Sequence, residues 1–131
     1  MVKQYKNHKG LRDKESERID NVLKTLLSLV FIPRFWNIED TSLIDYQLKN
    51  FGLTTPVLIA IDQNELIELL RRLHLDFNQQ EQFADFLIAF SKENPFDLRK
   101  KSIAVYEHIQ SESKTFSFGI FNKIALAKAS L

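Results

Sequence analysis

Apolar residues recur at helical spacing through most of this chain. The clearest run comprises Ile19, Val22, Leu23, Leu26, Leu27 and Val30. Residues three and four positions apart share one face of a helix, so this run predicts an amphipathic helix over roughly residues 13–32. Pro33 ends the helix, because proline lacks an amide hydrogen and disfavours helical geometry in the residue before it.

A second predicted helix begins at Thr41 or Ser42, either of which makes a good N-cap. It ends before Gly52, which suits the left-handed position that follows many helices. Its buried face comprises Ile44, Leu48 and Phe51.

Residues 53–61 form the one ambiguous stretch. They are rich in β-branched side chains, which suit a strand, yet the chain offers no second strand to pair with them. Thr55 as N-cap, with Pro56 at the first helical position, predicts a short helical turn instead.

Two capping-box spacings mark the next helices. Asp62 is followed three residues later by Glu65, and Asn78 by Glu81. The helix from Asp62 carries apolar residues on more than one face, which predicts a central and largely buried helix. These residues are Leu66, Ile67, Leu69, Leu70 and Leu73. The helix from Asn78 carries Phe83, Phe86, Leu87 and Phe90.

The last third of the chain predicts a helical hairpin. Asn94, with Pro95 at the first helical position and Asp97 in the first turn, begins one helix. After a break, a second helix is expected over residues 115–129. Gly119 would interrupt that helix, so either the helix begins after it or another helix approaches closely there. The apolar stripe around the break and along the second helix comprises Phe116, Phe118, Ile120, Phe121, Ile124 and Leu131.

These patterns together predict an all-α fold. Only three glycines and three prolines occur, which leaves few tight turns and disfavours a sandwich or barrel. Short connections force consecutive helices to pack antiparallel. We therefore expect residues 13–131 to form a single-domain stack of antiparallel helical hairpins with five to seven helices. Residues 1–12 are predicted to be a polar, basic N-terminal arm.

The C-terminal half contains three packing motifs, at residues 65–70 (ELIELL), 103–107 (IAVYE) and 114–118 (KTFSF). This half resembles the helical hairpins of tetratricopeptide-like proteins and, more closely, an uncharacterised family of small bacterial all-helical domains. A tetratricopeptide repeat places small residues at fixed positions over about 34 residues. Here Ser102 takes one of those positions, but Ile109, which is not small, takes the next, so the match to the repeat is poor. The resemblance therefore implies at most one degenerate hairpin, and it implies no activity.

The composition is that of a globular chain, with 44% hydrophobic and 27% charged residues. No cysteine occurs, which excludes a disulfide framework and a cysteine nucleophile and fits a reducing cytosol. The first 20 residues are charged and lack the apolar segment of a signal peptide. No apolar run approaches the ~20 residues that a membrane span needs. We expect a soluble, cytoplasmic protein.

Charge is distributed unevenly along the chain. Residues 1–35 carry a net charge of +4, residues 36–98 carry −7 and residues 99–131 carry +4. These segments either balance one another within the fold, or they guide head-to-tail self-association or the binding of an acidic partner. No segment forms the dense basic stripe with aromatics that nucleic-acid binding favours. The helix that would read DNA carries Glu81 and Asp85, which repel phosphates.

No catalytic, cofactor or metal site is recognisable. His8, His74 and His108 share no metal-ligand spacing, and no glutamate has a histidine three residues later, as a di-iron bundle requires. Glu65 and Glu68 lie on one side of a helix, but Glu65 is explained as a helix-start residue. Three glycines are too few for a glycine-rich phosphate cradle. We therefore expect a non-enzymatic protein with no cofactor.

The best functional lead is an aromatic cluster after the first helix. Phe31, Arg34, Phe35 and Trp36 include the residue types that dominate interface hot spots, and they form the candidate partner interface. One interpretation is that Phe35 and Trp36 fold back onto the first helix as core. The other is that the cluster is an exposed patch for a partner or a second copy, and shallow membrane contact is a third.

The sequence therefore predicts a protein–protein interaction or scaffold module, with a protein partner or self-association. The alternative is a small-ligand-binding regulatory domain, which requires an enclosed pocket between helices with convergent polar groups. A nucleic-acid-binding protein is a further hypothesis, and it requires the basic ends to converge on one face.

Overall fold

The computed structural model describes residues 11–31, 41–93 and 97–131. These residues form seven α-helices and contain no β-strand, which confirms the prediction of an all-α fold with five to seven helices. The helices are α1 (Leu11–Phe31), α2 (Ser42–Leu48), α3 (Thr55–Ala60), α4 (Gln63–Arg72), α5 (Phe77–Glu93), α6 (Arg99–Ser113) and α7 (Phe118–Ala129), with a 3₁₀ turn at Lys49–Phe51. Of the predicted basic arm, residues 1–10 lie outside the described residues, and Leu11 and Arg12 begin α1.

The central helix of the fold is α5, which packs against α1 on one side and α6 on the other. Its buried side chains are Phe83, Ala84, Phe86, Leu87, Ala89 and Phe90. The prediction that the helix from Asp62 is central was wrong. That helix, α4, buries only Leu66 and Leu70, while Ile67 and Leu69 lie half-buried at the edges of this face and Glu65 is exposed.

A line of aromatic rings runs along the inner face of α5. Phe51 meets Phe83 edge-on at 5.8 Å between ring centroids, and Phe86 stacks on Phe90 at 5.2 Å. Such pairs stabilise a core beyond the area that they bury. The high phenylalanine content of the chain is thus partly explained by this core.

Consecutive helices α5, α6 and α7 run antiparallel. The Ser102 hydroxyl of α6 donates to the Ala84 carbonyl of α5 at 2.8 Å, and both residues are fully buried. These small residues let the two helices approach closely. By contrast, α1 and α5 run in the same direction, since Asp20 accepts from Gln79 near the start of α5, whereas Phe31 and Lys92, at the ends of the two helices, line one depression.

The start of α4 agrees with the prediction, and the start of α3 is shifted by one residue. The Asp62 carboxylate accepts from the Asn64 amide at 2.9 Å, which confirms Asp62 as the N-cap of α4. The ambiguous stretch is helical, as α3, but its N-cap is Thr54 rather than Thr55. The reason is that Thr55 donates from both its amide and its hydroxyl to the Asp45 carboxylate.

The starts of α5 and α6 differ from the predictions. The side chains of Asp76 and Gln79 each accept from the other's backbone amide, so the capping box lies two residues before Asn78. Asn94 and Pro95 lie outside the described residues. Asp97 precedes α6 rather than entering its first turn, and its hydrogen bonds and ion pair with Arg99 lower the pKa of Asp97 to about 2.

The last helix begins later than predicted. Ser117 is its N-cap and accepts from the Ile120 amide at 3.2 Å. Gly119 lies in the first turn of α7, and a Cβ there would meet nothing closer than the Ser117 hydroxyl, at 3.6 Å. Both explanations offered for Gly119 were therefore wrong, because the helix begins before it and none of the other described helices approaches it.

Three helical segments of the described chain end in a residue with positive φ. These are Gly52 at 75°, His74 at 61° and Lys114 at 58°. Such a residue lets the chain satisfy the last carbonyls of a helix, as when the Leu75 amide donates to the Leu70 carbonyl. Gly52 was predicted for this role, but His74 and Lys114 carry a Cβ that disfavours it.

We expect Gly52→Ala to lower the free energy of unfolding by about 1 kcal/mol and His74→Gly to raise it by about 0.5 kcal/mol. Nothing lies within 4 Å of a Cβ at Gly52, so the loss would come from the backbone alone. Urea unfolding followed by circular dichroism measures both. Gly119→Ala is the matched control, because alanine in a helix is more stable than glycine, and a loss of stability there would contradict this explanation.

Candidate interaction surface

Only one residue of the predicted partner interface belongs to the described chain. Phe31, at the end of α1, is 67% exposed. Arg34, Phe35 and Trp36 lie outside the described residues, so the choice between core and surface for them stays a prediction. Phe31 is a large aromatic side chain left in solvent, which is the property expected of an interface residue.

Phe31 lies on the wall of a groove that runs along α5. Two depressions form this groove, and they meet at Leu27 and Phe31 of α1. One face of α5 makes the floor, with side chains at spacings of four and three residues: Asn78, Gln82, Asp85, Ala89 and Lys92. The opposite wall is made by Tyr106 of α6 and by Lys123, Leu126, Ala127 and Ser130 at α7.

The groove is long and partly apolar. From Asn78 to Lys92 it follows α5 for about 21 Å, at 1.5 Å per residue. The half between α1 and α7 has a volume of about 530 Å³. Its apolar walls comprise Leu27, Phe31, Ile88, Ala89, Leu126 and Ala127. Phe31 and Leu126 are mostly exposed, so the rim is open to solvent.

A polar network joins α5, α6 and α7 beside this apolar half. Lys123 Nζ lies 2.5 Å from Glu81 Oε2 and 3.1 Å from the Asp85 carboxylate. The Tyr106 hydroxyl donates to the same Asp85 carboxylate. Every charged group of the network therefore has a partner of opposite charge.

The pKa values of both proton donors in the network, Tyr106 and Lys123, are raised. Burial raises the pKa of Tyr106, and the hydrogen bond to Asp85 raises it further. Burial alone would lower the pKa of Lys123, but its hydrogen bonds to Glu81 and Asp85 outweigh that effect and raise it. Both donors thus remain protonated at neutral pH, and the network acts as a fixed structural contact.

Two lysines in the groove lack such partners. Among the described residues no acidic side chain pairs with Lys24 of α1 or Lys92 of α5, although both line the groove. Asp20 lies near Lys24 but accepts from the Gln79 amide group at 2.8 Å. Lys24 and Lys92 are therefore cations of the groove that form no ion pair within the described chain, and Asp20 keeps its negative charge in the same depression as Lys24.

A second exposed feature is the corner between α6 and α7, which we call the aromatic corner. It consists of Phe116, Phe118 and Phe121, which are 60%, 75% and 52% exposed. The ring centroids of Phe116 lie 4.8 Å from Phe118 and 5.7 Å from Phe121. The apolar stripe identified in the sequence is thus divided, because of this set only Ile120 is buried and Ile124 half-buried.

The aromatic corner is built on a well-bonded turn. The Gln110 side chain accepts from the Ser117 amide and donates to the Ser117 carbonyl, both at 3.2 Å. Ser117 in turn caps α7, and Lys114 closes α6 in the left-handed conformation. The rings on either side of Ser117 are thus held without needing to be buried themselves.

The sequence carried signals for both the polar network and the aromatic corner. Glu81 and Asp85 are four residues apart on one helix, where like charges repel unless a cation lies between them. Lys123 is the one charge near the middle of an otherwise apolar segment. Phe118 and Phe121 cannot share a helix face with Ile120 and Ala127, so part of the apolar stripe had to stay outside.

The histidines and glutamates considered as catalytic or metal-binding residues do not form a cluster. His74 is exposed at the end of α4, His108 is half-buried on α6, and Glu68 pairs with Arg71 at the surface. Within the described ranges, no group of three histidine, aspartate or glutamate side chains could hold a metal ion. In the same ranges, no helix combines the length and apolar character needed to cross a bilayer. His8 lies outside the described residues.

No protein-family model, no curated protein and no solved structure matches this chain. The function is therefore argued from the geometry alone.

We expect Tyr106→Phe to lower the free energy of unfolding at pH 7 by about 1.5–3 kcal/mol, because a hydrogen bond to the half-buried Asp85 carboxylate is lost. The folded-state pKa of Tyr106 is raised above the ordinary value of 10.0. Its contribution is therefore full below pH 10 and falls as pH rises above 10, when the unfolded chain ionises first. The gap between wild type and variant should narrow from pH 7 to about pH 11.

Urea unfolding at a series of pH values measures this gap. Tyr46→Phe is the matched control, since Tyr46 is 63% exposed and lies outside the network. A gap between wild type and Tyr106→Phe that stays constant up to pH 11 would contradict the assignment.

Proposed function

We propose that this protein is a protein–protein interaction module that binds an acidic amphipathic helix of a partner in the groove along α5. The observation that carries the proposal is an open, partly apolar groove in which two lysines, Lys24 and Lys92, form no ion pair with a described residue. The resemblance of residues 62–131 to the helical hairpins of tetratricopeptide-like proteins stays a prediction, as does a cytoplasmic location.

The shape of the groove supports a helix as the ligand. Its floor is one face of α5, and its walls are α1 and α7. The groove is therefore a space that one further helix of the stack would fill. A length of about 21 Å accepts roughly 14 residues of a helix. Recognition of this kind uses apolar side chains at spacings of three, four and seven residues, which would pack on Leu27, Phe31 and Ile88.

The charges of the groove support an acidic ligand. Lys24 precedes Phe31 by seven residues, about 10 Å along α1, and Lys92 lines the same half of the groove as Phe31. A bound helix with carboxylates about two turns apart would pair with both lysines. Such rim charges contribute chiefly to specificity and to the rate of association.

A small-molecule ligand is the second candidate, and the convergence of Asp85, Tyr106 and Lys123 on the apolar half favours it. Two observations weigh against it. These three polar groups already satisfy one another, and the rim is open rather than enclosed. For nucleic acid the groove offers two unpaired lysines, while Lys123 and Lys128 are engaged by carboxylates.

The test is selection from a displayed library of 16-residue amphipathic helices in which the charged positions vary freely between Glu and Lys. Against the wild-type chain we expect enrichment of sequences with two glutamates seven or eight residues apart. Fluorescence anisotropy of the selected peptides should show at least a tenfold loss of affinity for the Lys24→Glu, Lys92→Glu double variant, because both ion pairs become repulsive.

Two controls make the result specific. Lys100→Glu is a matched charge reversal on exposed α6 surface away from the groove and should leave the affinity within twofold. Phe31→Ala removes an exposed side chain and should weaken binding without changing the melting temperature. Selection of peptides with no acidic preference would overturn the proposal. So would stoichiometric binding of a fluorescent fatty acid, lost in Phe31→Ala, with no peptide selected.

A further inference from the structure

The outer face of α7 carries no charged side chain. Its central stripe comprises the exposed residues Phe118, Asn122, Ala125 and Ala129, at spacings of four and three. Phe121 and Leu126 flank this stripe, and both are more than half exposed. An exposed helix face is ordinarily polar, and a contiguous apolar patch marks a surface that binds something. Among the described residues, no element covers this face.

We propose that the outer face of α7 binds the same face of a second copy of this chain, with the two helices antiparallel about a two-fold axis. Of the residues of this surface, Leu126 also lies on the rim of the groove, and the inference does not depend on the function proposed above.

The sizes of the side chains favour antiparallel pairing. Large residues lie at the start of α7 and small ones at its end. A two-fold axis between residues 123 and 124 places Phe118 opposite Ala129 and Asn122 opposite Ala125 of the other copy. Each of these larger side chains thus meets an alanine, which allows close packing.

The charges around the face also favour a second copy. A two-fold interface brings identical residues near one another, so unpaired like charges would repel across it. Lys123 is paired with Glu81 and Asp85, and Lys128 lies 3.1 Å from the Glu107 carboxylate. The one polar side chain of the face is Asn122, whose amide can both donate and accept and so can pair with its own copy.

The exposed area suits a modest dimer. Taking about 200 Å² for a whole phenylalanine side chain, the aromatic corner alone exposes roughly 370 Å² per copy. Leu126 and the two alanines extend the patch toward the ~600 Å² per copy that small specific interfaces bury. The turn held by Gln110 and Ser117 fixes the aromatic corner in advance, which lowers the ordering cost of association.

Sedimentation equilibrium of the full chain over about 1–300 μM tests the proposal, a range that brackets a micromolar dimer. We expect the wild type to pass from monomer to dimer and Phe118→Glu to stay monomeric, with an unchanged melting temperature because Phe118 is 75% exposed. Val57→Glu, a matched change on exposed α3, should dimerise like the wild type. A wild type that is monomeric throughout, or a Phe118→Glu variant that dimerises normally, overturns the proposal.

The antiparallel register has its own test. Ala129→Lys should also be monomeric, and an equimolar mixture of Phe118→Glu and Ala129→Lys should restore the dimer, because each glutamate then faces a lysine of the other copy. Failure of the mixture to associate overturns the register. Failure of groove binding leaves this outcome unchanged, since Phe118→Glu should bind the selected peptides normally and the Lys24→Glu, Lys92→Glu variant should still dimerise.

Discussion

The ion pairs of Lys123 are the contact on which the arrangement of the last helix depends. Because α7 is apolar on two sides, hydrophobic burial alone does not decide which side packs inward. Only one orientation brings Lys123 to Glu81 and Asp85, and that orientation also buries Ile120 and Ala127. Ion pairs of this kind add little net stability, but in some proteins they select one packing among several. The groove wall and the exposed outer face both follow from that selection.

The two sides of α7 consequently differ in the charge that they offer. On the groove side the fold leaves Lys24 and Lys92 without acidic partners among the described residues, so that side suits a ligand of opposite charge. On the outer side Lys128 is paired with Glu107, and the stripe of Phe118, Asn122, Ala125 and Ala129 carries no charge. A neutral apolar face tolerates its own copy, whereas a charged one does not. One helix therefore separates a surface suited to a different protein from a surface suited to itself.

Local sequence patterns predicted most of the fold, because caps and helical spacing act over a few residues. The Asp62 cap, the left-handed Gly52 and the helical nature of residues 55–60 are examples. What failed depended on contacts distant in sequence. Thr55 could not be excluded as a cap without knowing that Asp45 binds it, and the central position of α5 arises from packing on both α1 and α6. Of the candidate site, Phe31 was foreseen. The spacing of Glu81 and Asp85 and the isolated Lys123 were local signals, but the network joins three helices, so nothing local identified its partners.

The paired hydrogen bonds between Gln110 and Ser117 have a consequence for how this surface can change over evolutionary time. They fix the turn through the main chain and one side-chain amide, so the residues on either side of Ser117 contribute little to folding. Substitutions at positions 116 and 118 should therefore be nearly neutral for stability while altering what the surface recognises. Substitutions in the aromatic corner can thus change binding specificity by neutral drift. They avoid the loss of stability that accompanies most changes in binding residues.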